Sequence, residues 1–291
     1  MNRIAFIGIG TMGEPMAANL LKKGLPVTIV KRSRPEPVAR LQALGATIAG
    51  TTAEAAKASD IVVLCLPTSR EVEATVDGFI NSLAAGTVLV DCSTSNPAST
   101  RRLAARLAER KVGMVDAGLT RGVQGARQGT LAFFLGGNPA HIAQAMPALQ
   151  AMGDTFIRLG PVSHGHTAKV ISNVLSYSTV ALVNEALMLG SRAGIDHKQL
   201  FDALMQGAPS KALEGFGPRI LSGEYDPPRV TVDHACDDML LAQELASGCT
   251  APVFMLGVAQ EVYRLLALRG HGACDLSALG ELWRAANPSQ R

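Results

Sequence analysis

Short apolar runs alternate with amphipathic segments along the first half of the chain. Each run has the length of a strand, and the segment after it has helical spacing and ends at glycine or proline. The pattern predicts strands at 3–7, 27–30, 60–66, 87–91, 112–116, 131–135 and 155–159. Between them it predicts helices at 14–23, 35–44, 70–83 and 139–152, and one after Pro97 that ends at Arg110. Strands that alternate with helices indicate a doubly wound parallel sheet, in which the strand at 131–135 is the candidate for an antiparallel one.

The second half of the chain has helical periodicity throughout. One segment, from His166 to Ala193, contains a single glycine and no proline, and would form a helix roughly 40 Å long that Gly194 closes. Turns are predicted at 207–209, 215–218, 226–228, 248 and 270–272. The predicted fold class is α/β, with an N-terminal Rossmann domain (1–163), a long interdomain helix (164–193) and an all-α C-terminal domain (194–291).

Composition and charge agree with a globular protein of two domains. The 291 residues are 47% hydrophobic, and the net charge of +3 comes without any Lys/Arg run longer than two. A small anionic substrate is therefore a better partner than nucleic acid. Five scattered cysteines without a CxxC pair argue against a disulfide framework and a zinc site, so no metal is expected. Without a signal-peptide pattern or eighteen consecutive apolar residues, we expect a cytoplasmic protein with no membrane partner.

A glycine-rich turn follows the first predicted strand and precedes the first helix. In a GxGxxG turn the first glycine makes the bend, the second lets a pyrophosphate approach, and the third allows the helix to pack on the strand. The free N–H groups of the helix N-terminus then bind the phosphates. The predicted cofactor-binding residues of this turn are Gly8, Ile9, Gly10, Thr11, Met12 and Gly13.

The end of the second predicted strand indicates which cofactor is bound. Sites that prefer NAD place an acidic residue there, about twenty positions after the glycines. This chain has Lys31-Arg32-Ser33-Arg34 instead. Because Arg32 and Ser33 can bind a 2′-phosphate through charge-assisted hydrogen bonds, the sequence predicts NADP.

Two further segments carry chemistry. The stretch Ala117–Ala126 is predicted to be a glycine-rich loop whose N–H groups, with Thr120 and Arg121, suit an anion. Lys169 and Asn173 stand four residues apart on the long helix, so both side chains lie on one face. His164 and His166, without a third ligand, are predicted to be turn residues rather than a metal site.

Four motifs give the chain a clear resemblance to a known family. They are Gly8–Leu20, Asp91–Thr94 with Pro97, Asp116–Gly122 and Gly160–Asn173. With them the whole chain resembles the β-hydroxyacid dehydrogenase family. The resemblance implies a Rossmann domain, a long interdomain helix, a helical C-terminal domain that forms homodimers or homotetramers, and an active site in the cleft between the domains.

The resemblance also implies roles for particular residues. Lys169 matches the catalytic lysine of the family, and Asn173 matches its substrate-binding asparagine. Thr120, Arg121 and Gly122 match the loop that holds the substrate carboxylate. Leu66, Pro67 and Thr94 match residues that contact the cofactor.

Two departures from the family pattern concern the substrate. Arg121 stands where the family has glycine, and a cation there is similar to the sulfolactaldehyde reductase branch, which makes sulfonate recognition an alternative. Asp237 stands where the family has lysine. We expect Asp237 near the substrate, where it either pairs with Arg121 or weakens the binding of an acidic substrate.

These features predict an oxidoreductase that transfers a hydride between NADP(H) and a small 3-hydroxy acid or semialdehyde acid, with Lys169 as general acid/base. An alternative is the reduction of a C=N bond, as in imine reductases of similar architecture, which Asp237 would favour through a cationic substrate. An alternative of another class is a catalytically silent NADP-binding scaffold that acts through oligomerisation. The presence of Lys169 speaks against that last reading.

Overall fold

The computed structural model describes residues 2–30 and 35–284. The chain divides into two compact units, Met1–Lys169 and Val170–Arg291. All the strands of the described residues belong to the first unit, and the second is helical. The division falls inside the long helix that the sequence predicts.

The elements of the first unit alternate as the sequence pattern indicates. Its strands are β1 (Ile4–Ile7), β2 (Val27–Val30), β3 (Thr47–Ala49), β4 (Ile61–Leu64), β5 (Val88–Asp91), β6 (Gly113–Thr120), β7 (Leu131–Gly137) and β8 (Gly153–Gly160). Its helices are α1 (Gly13–Lys22), α2 (Pro35–Ala43), α3 (Thr52–Lys57), α4 (Ser69–Asp77), α5 (Pro97–Glu109), α6 (Gly122–Gln128) and α7 (Pro139–Met152), with a 3-10 turn at Ile80–Ser82. α8 (His164–Arg192) begins in this unit and continues into the second.

The eight strands form one sheet with the order β3-β2-β1-β4-β5-β6-β7-β8. Neighbouring strands are parallel except β6 and β7, which are antiparallel. The predicted doubly wound sheet is confirmed, and so is the reversed direction of β7, the strand predicted at 131–135. β8 is parallel to β7 and therefore also runs opposite to β1–β6, which the sequence pattern does not predict. Since β1 lies between β2 and β4, the strand order reverses at β1, where ligands bind in sheets of this kind.

Both faces of the sheet are buried. In β1 alone, Ile4 and Phe6 join one apolar cluster with α1, α2 and α7, while Ala5 and Ile7 join another with α3, α4 and α5. Successive side chains of a strand point to opposite faces, so a continuous apolar run is what a sheet covered on both sides requires.

The prediction of a loop over Ala117–Ala126 is wrong. β6 continues to Thr120, where it pairs with Ala132 of β7, and α6 begins at Gly122. Glycine has a low strand propensity, so the segment by itself does not favour an extended conformation. Hydrogen bonds to β7 stabilise that conformation in the folded protein. Arg121 alone separates the strand from the helix.

Three other predictions differ from the structure. The helix predicted at 70–83 ends at Asp77, and only a 3-10 turn follows. The turn predicted at 215–218 lies inside a helix, where Gly217 packs so closely on Phe201 that an added Cβ would lie 2.5 Å from its ring. β3 and α3 are missing from the prediction because they span only 3 and 6 residues, too few for a periodic signal.

The second unit is helical, which confirms the predicted class of the C-terminal half. After α8 its helices are α9 (His197–Gly207), α10 (Lys211–Ser222), α11 (Val232–Gly248), α12 (Phe254–Leu266) and α13 (Glu281–Arg284). A π-helical turn follows α12 at Ala267–His271, and a 3-10 helix lies at Leu276–Gly280. α8 buries Val170, Tyr177, Val180 and Leu187 in the core of this unit. Among the helices described, none is both long and apolar enough to cross a membrane.

Candidate active site

Two positions of the turn between β1 and α1 require glycine. Gly8 has a φ of 102°, and a Cβ added to it would lie 2.1 Å from the carbonyl oxygen of Cys65. A Cβ added to Gly13 would lie 1.8 Å from the carbonyl oxygen of Gly8. The two residues therefore close the turn against the sheet and bring the first turn of α1 onto it.

Gly10 in the same turn is different, because a Cβ added there would meet nothing within 4 Å. The residue is exposed, so its backbone is open to a ligand. Among the described residues no side chain caps the N-terminus of α1, and the positive end of the helix dipole lies at this opening. The turn that contains Ile9, Thr11 and Met12 therefore fits the pyrophosphate of a dinucleotide.

The other predicted cofactor contacts lie at the same edge of the sheet. Leu66 and Pro67 follow β4, and Thr94 follows β5, its parallel neighbour. The backbone N–H of Leu66 donates a hydrogen bond of 2.9 Å to Oγ of Ser93, which ties the two connections together. The structure brings these residues to the edge where the glycine turn after β1 also lies, because β1 and β4 are parallel.

A buried carboxylate, which opens the motif Asp91–Thr94 but has no role assigned to it from the sequence, shapes the connection after β5. Asp91 accepts hydrogen bonds from the N–H of Ser93 at 2.9 Å and from Oγ of Ser95 at 2.8 Å. The spacing Asp-x-Ser-x-Ser is the signal that predicts such a turn. Asp91 thereby fixes the backbone on which Thr94 stands.

Arg32 and Ser33, the predicted 2′-phosphate ligands, lie outside the described residues, as do Lys31 and Arg34.

The predicted substrate turn is a pair of left-handed residues at the end of β6. Arg121 has a φ of 80° and Gly122 a φ of 60°, a conformation that glycine adopts at no steric cost. For a residue with a side chain it costs about 1–2 kcal/mol. This conformation explains why the family pattern has glycine at position 121, and the arginine here must be held in place by its side chain.

Several hydrogen bonds hold the guanidinium of Arg121. Its Nη1 lies 2.6 Å from the carbonyl oxygen of Thr130 and 2.6 Å from Oδ1 of Asp154, and its Nη2 lies 2.9 Å from Oγ1 of Thr155. Hydrogen bonds from the Thr155 hydroxyl and from Arg121 lower the pKa of Asp154. The ion-pair partner of Arg121 is thus Asp154, while the sequence analysis considers Asp237.

The side chain of Lys169 projects from α8 and begins directly against β6. A Cβ added to Gly118 would lie 2.7 Å from Cβ of Lys169 and 3.0 Å from the carbonyl oxygen of Gly165. The missing side chain of Gly118 therefore allows the helix to approach the strand, and it places the base of Lys169 two residues from Thr120 along β6. None of these neighbours is evident from the local sequence.

The start of α8 is attached to β6 by a second buried carboxylate. Oδ1 of Asp116 accepts a hydrogen bond of 2.8 Å from the N–H of Ser163, and Oδ2 accepts one of 2.8 Å from the N–H of His166. These are amides that a helix N-terminus leaves without a partner in the helix. Contacts at Asp116 and then at Gly118 show that the start of α8, as far as Lys169, runs along β6.

The prediction that His164 and His166 are turn residues is wrong, because both belong to α8. His166 is fully buried; its Nδ1 lies 2.8 Å from Oγ1 of Thr100, and its Nε2 lies 3.2 Å from the carbonyl oxygen of Asp91. The ring thus links α8 to the end of β5 and to α5. In residues 2–30 and 35–284 no cluster of three or more His, Cys, Asp or Glu side chains could hold a metal ion.

In the second unit Asn173 is buried and bound to a carboxylate. Its Nδ2 donates a hydrogen bond of 2.7 Å to Oδ2 of Asp238, which also accepts one of 2.8 Å from the hydroxyl of Tyr177. Asp237, the residue that the sequence analysis selects, is exposed. The buried stripe on α11 (Ala235, Asp238, Met239 and Ala242) has helical spacing, and that pattern is the signal that distinguishes Asp238 from its neighbour.

Comparison with known families supports this description. A family model described as the NAD binding domain of 6-phosphogluconate dehydrogenase matches residues 3–160. A second, described as NAD-binding of NADP-dependent 3-hydroxyisobutyrate dehydrogenase, matches residues 163–283.

Individual proteins resemble the chain over nearly its whole length. The NAD-dependent L-serine dehydrogenase of Pseudomonas aeruginosa is 34% identical, over 97% of this chain and 98% of that protein. The 2-hydroxy-3-oxopropionate reductase of Escherichia coli is 32% identical, over 95% of each chain. The structure of Mycobacterium tuberculosis 3-hydroxyisobutyrate dehydrogenase with L-serine has a TM-score of 0.90 and 26% identity, and covers 98% of this chain and 99% of that one.

Proposed function

Because the chain belongs to the β-hydroxyacid dehydrogenase family, we propose that it is an oxidoreductase that transfers a hydride between NADP(H) and a small 3-hydroxy acid or semialdehyde acid. The observation that carries the proposal is the placement of Lys169. Its side chain leaves α8 against β6, two residues from the turn Thr120–Gly122, in a unit whose glycine turn fits a dinucleotide.

In this proposal the cofactor lies on the edge of the sheet. The open backbone at Gly10 and the N-terminus of α1 hold the pyrophosphate, and Leu66, Pro67 and Thr94 line the edge beside it. The bound nicotinamide supplies the hydride chemistry. Arg32 and Ser33 hold the 2′-phosphate, which is the basis for NADP over NAD.

Lys169 moves the proton on the substrate oxygen. It acts as general base when the hydroxy acid is oxidised and as general acid when the aldehyde is reduced. Asn173, one helical turn later on α8, orients the reacting groups. The other residues contribute positioning, which by itself can account for several orders of magnitude in rate.

Thr120, Arg121 and Gly122 hold the acid group of the substrate. Arg121 is engaged by Asp154, but both side chains are about half exposed, and exposed ion pairs contribute only about 0–1 kcal/mol. A substrate anion can therefore replace Asp154 at small cost. A planar guanidinium also fits a sulfonate, so sulfolactaldehyde belongs among the substrates to be tested. Asp237 is part of the proposal as a residue that modulates the charge near the substrate.

The names of the relatives support a substrate class of small hydroxy acids. One is an L-serine dehydrogenase, one reduces 2-hydroxy-3-oxopropionate, and one structure contains L-serine. Each of these molecules pairs an acid group with a nearby hydroxyl or aldehyde. We infer that this chain acts on a molecule of the same kind.

The proposal includes a cytoplasmic homodimer or homotetramer formed through the C-terminal helices. α8 exposes Leu175, Leu182 and Leu189 at 70%, 63% and 67%, and their spacing of seven residues places them in one stripe. Exposed apolar stripes of this length mark contact surfaces. A solution mass near that of one 30.4 kDa chain would rule this part out.

Replacing Lys169 tests the chemistry. We expect Lys169→Ala to lower kcat by about 10²- to 10⁴-fold, the usual contribution of a general acid or base, while NADPH binding is unchanged. Steady-state turnover and NADPH fluorescence titration measure the two effects. Lys198→Ala, which removes an exposed lysine of α9, is the matched control and keeps full activity. Near-normal turnover of Lys169→Ala would remove the lysine from the mechanism.

A companion variant tests the placement of Lys169 without changing the lysine. In Gly118→Ala the new Cβ lies 2.7 Å from Cβ of Lys169, so the helix or the strand must shift and kcat falls. Gly248→Ala, where an added Cβ meets nothing within 4 Å, is the control.

The cofactor preference is tested by kinetics with both cofactors. We expect kcat/KM to be higher with NADP than with NAD, and Arg32→Ala to lower it with NADP alone because it removes a charge-assisted hydrogen bond to the 2′-phosphate. Lys23→Ala, at the exposed end of α1, is the control. A preference for NAD, the cofactor that the name of the P. aeruginosa relative states, contradicts this part of the proposal.

Two variants distinguish direct binding of the substrate by Arg121 from a purely structural role in the turn. Arg121→Gly leaves the left-handed turn unstrained, so loss of the guanidinium raises KM for an anionic substrate about tenfold or more. Asp154→Asn releases the arginine and lowers KM by up to about fivefold, the value of an exposed ion pair. A screen of semialdehyde acids and sulfolactaldehyde with NADPH provides the assay. If Asp154→Asn raises KM as Arg121→Gly does, Arg121 only holds the turn.

A further inference from the structure

A cluster of three polar side chains is buried in the core of the helical unit. Asn173 and Tyr177 come from successive turns of α8, and Asp238 comes from α11. Their exposed fractions are 6%, 5% and 2%. Oδ2 of Asp238 accepts both hydrogen bonds, from Nδ2 of Asn173 at 2.7 Å and from the hydroxyl of Tyr177 at 2.8 Å.

The chemistry of a carboxylate fixes the direction of these bonds. An ionised carboxylate only accepts hydrogen bonds, while an amide has a donating nitrogen and an accepting oxygen. Asn173 must therefore turn its nitrogen toward Asp238, which directs its oxygen to the other side. A neutral amide at position 238 would impose no such choice, because it can present either end.

Tyr177, the third member of the cluster, donates a hydrogen bond to the carboxylate as long as its hydroxyl is protonated. Burial and the neighbouring Asp238 raise the pKa of Tyr177 well above its ordinary value, so its hydroxyl keeps its proton. The hydroxyl of Tyr263 donates a hydrogen bond of 2.9 Å to the carbonyl oxygen of Tyr177, which holds this turn of α8. His234, a titratable neighbour that is about half exposed, has its Nε2 3.5 Å from Oδ2 of Asp238.

The stability of a protein core does not require a buried carboxylate bound by two neutral donors. Burying a carboxylate costs free energy unless it is fully bonded, and apolar residues of similar size fill such a space at least as well. Here the charge is bonded to neutral donors, one of which is a residue of the proposed active site. The arrangement is thus better suited to orienting that residue than to stabilising the fold.

We propose that Asp238 is a positioning residue that sets the side-chain amide of Asn173, so that its oxygen and not its nitrogen faces the reacting groups. The inference rests on the proposed function in one respect only, the group that the oxygen meets. In the proposed function that group is the hydroxyl of the substrate, which donates to the amide oxygen of Asn173. Asp238 then acts through Asn173 without touching substrate or cofactor.

A reciprocal exchange of the two side chains tests the proposal. In Asp238→Asn the amide of Asn173 can flip, and we expect kcat to fall about tenfold, the loss that corresponds to one misdirected hydrogen bond. Asn173→Asp alone places two buried carboxylates against each other and lowers kcat further. In the double variant the amide at 238 donates to the carboxylate at 173, which again accepts on its other oxygen. We expect the double variant to recover most of the loss.

Control and spectroscopic measurements make the outcome unambiguous. Asp202→Asn removes an exposed carboxylate of the same unit and keeps wild-type kcat. In wild-type protein the ¹⁵N-labelled side-chain amide of Asn173, assigned by its loss in Asn173→Asp, is protected from exchange, and Asp238→Asn removes the protection. Should Asp238→Asn fail to fold, Tyr177→Phe, which removes one donor, still reports on that amide signal and on kcat.

The results separate the two proposals. An unprotected amide in the wild type, or a double variant no more active than Asp238→Asn, overturns the role of Asp238. A protected amide in a protein that turns over no hydroxy acid, aldehyde or sulfonate leaves the orientation in place and overturns the proposed function.

Discussion

The carboxylate of Asp116 is the contact on which the geometry around Lys169 depends. It is fully buried in β6, and it accepts the hydrogen bonds of two amides at the start of α8. A helix end packed on a sheet without such a partner would leave buried N–H groups unpaired, at a cost of about 1–3 kcal/mol each. Because Asp116 fixes the position of the first turn, the residue one turn later, Lys169, has a fixed position relative to Gly118.

The parts of the fold that the sequence predicts are those with local signals. The glycine turn, the alternation of strands and helices and the long helix depend on neighbouring residues, and the structure contains all of them. The lysine and asparagine of α8 are found in the same way, because their spacing is that of one helical turn. The extension of β6 to Thr120 is not found, since it depends on pairing with β7.

The supporting residues of the candidate site cannot be predicted from the sequence, and the reason is physical. Asp116 bonds residues 47 and 50 positions later, and Asp238 bonds a residue 65 positions earlier. No periodicity links such partners to one another. The helical spacing of the apolar residues on α11 marks Asp238 as a buried position, but it does not identify the residue that the carboxylate binds. Arg121 shows the converse: its residue type predicts an anion as partner, and the anion it contacts in the structure is Asp154, whose proximity only the fold reveals.

The reversed strand β7 has a consequence for how this protein can vary. In an all-parallel sheet, every strand would end at the edge where β6 ends, so only residues that follow strands would lie there. Because β7 runs backwards and β8 follows it, Thr130 and Asp154, which precede or begin strands, reach the same edge. These two positions are near the surface and outside the buried clusters. Substitutions there can change the charge beside Arg121 while the dinucleotide turn and Lys169 remain as they are, so the proposed substrate contact and the proposed proton-transfer residue can vary independently.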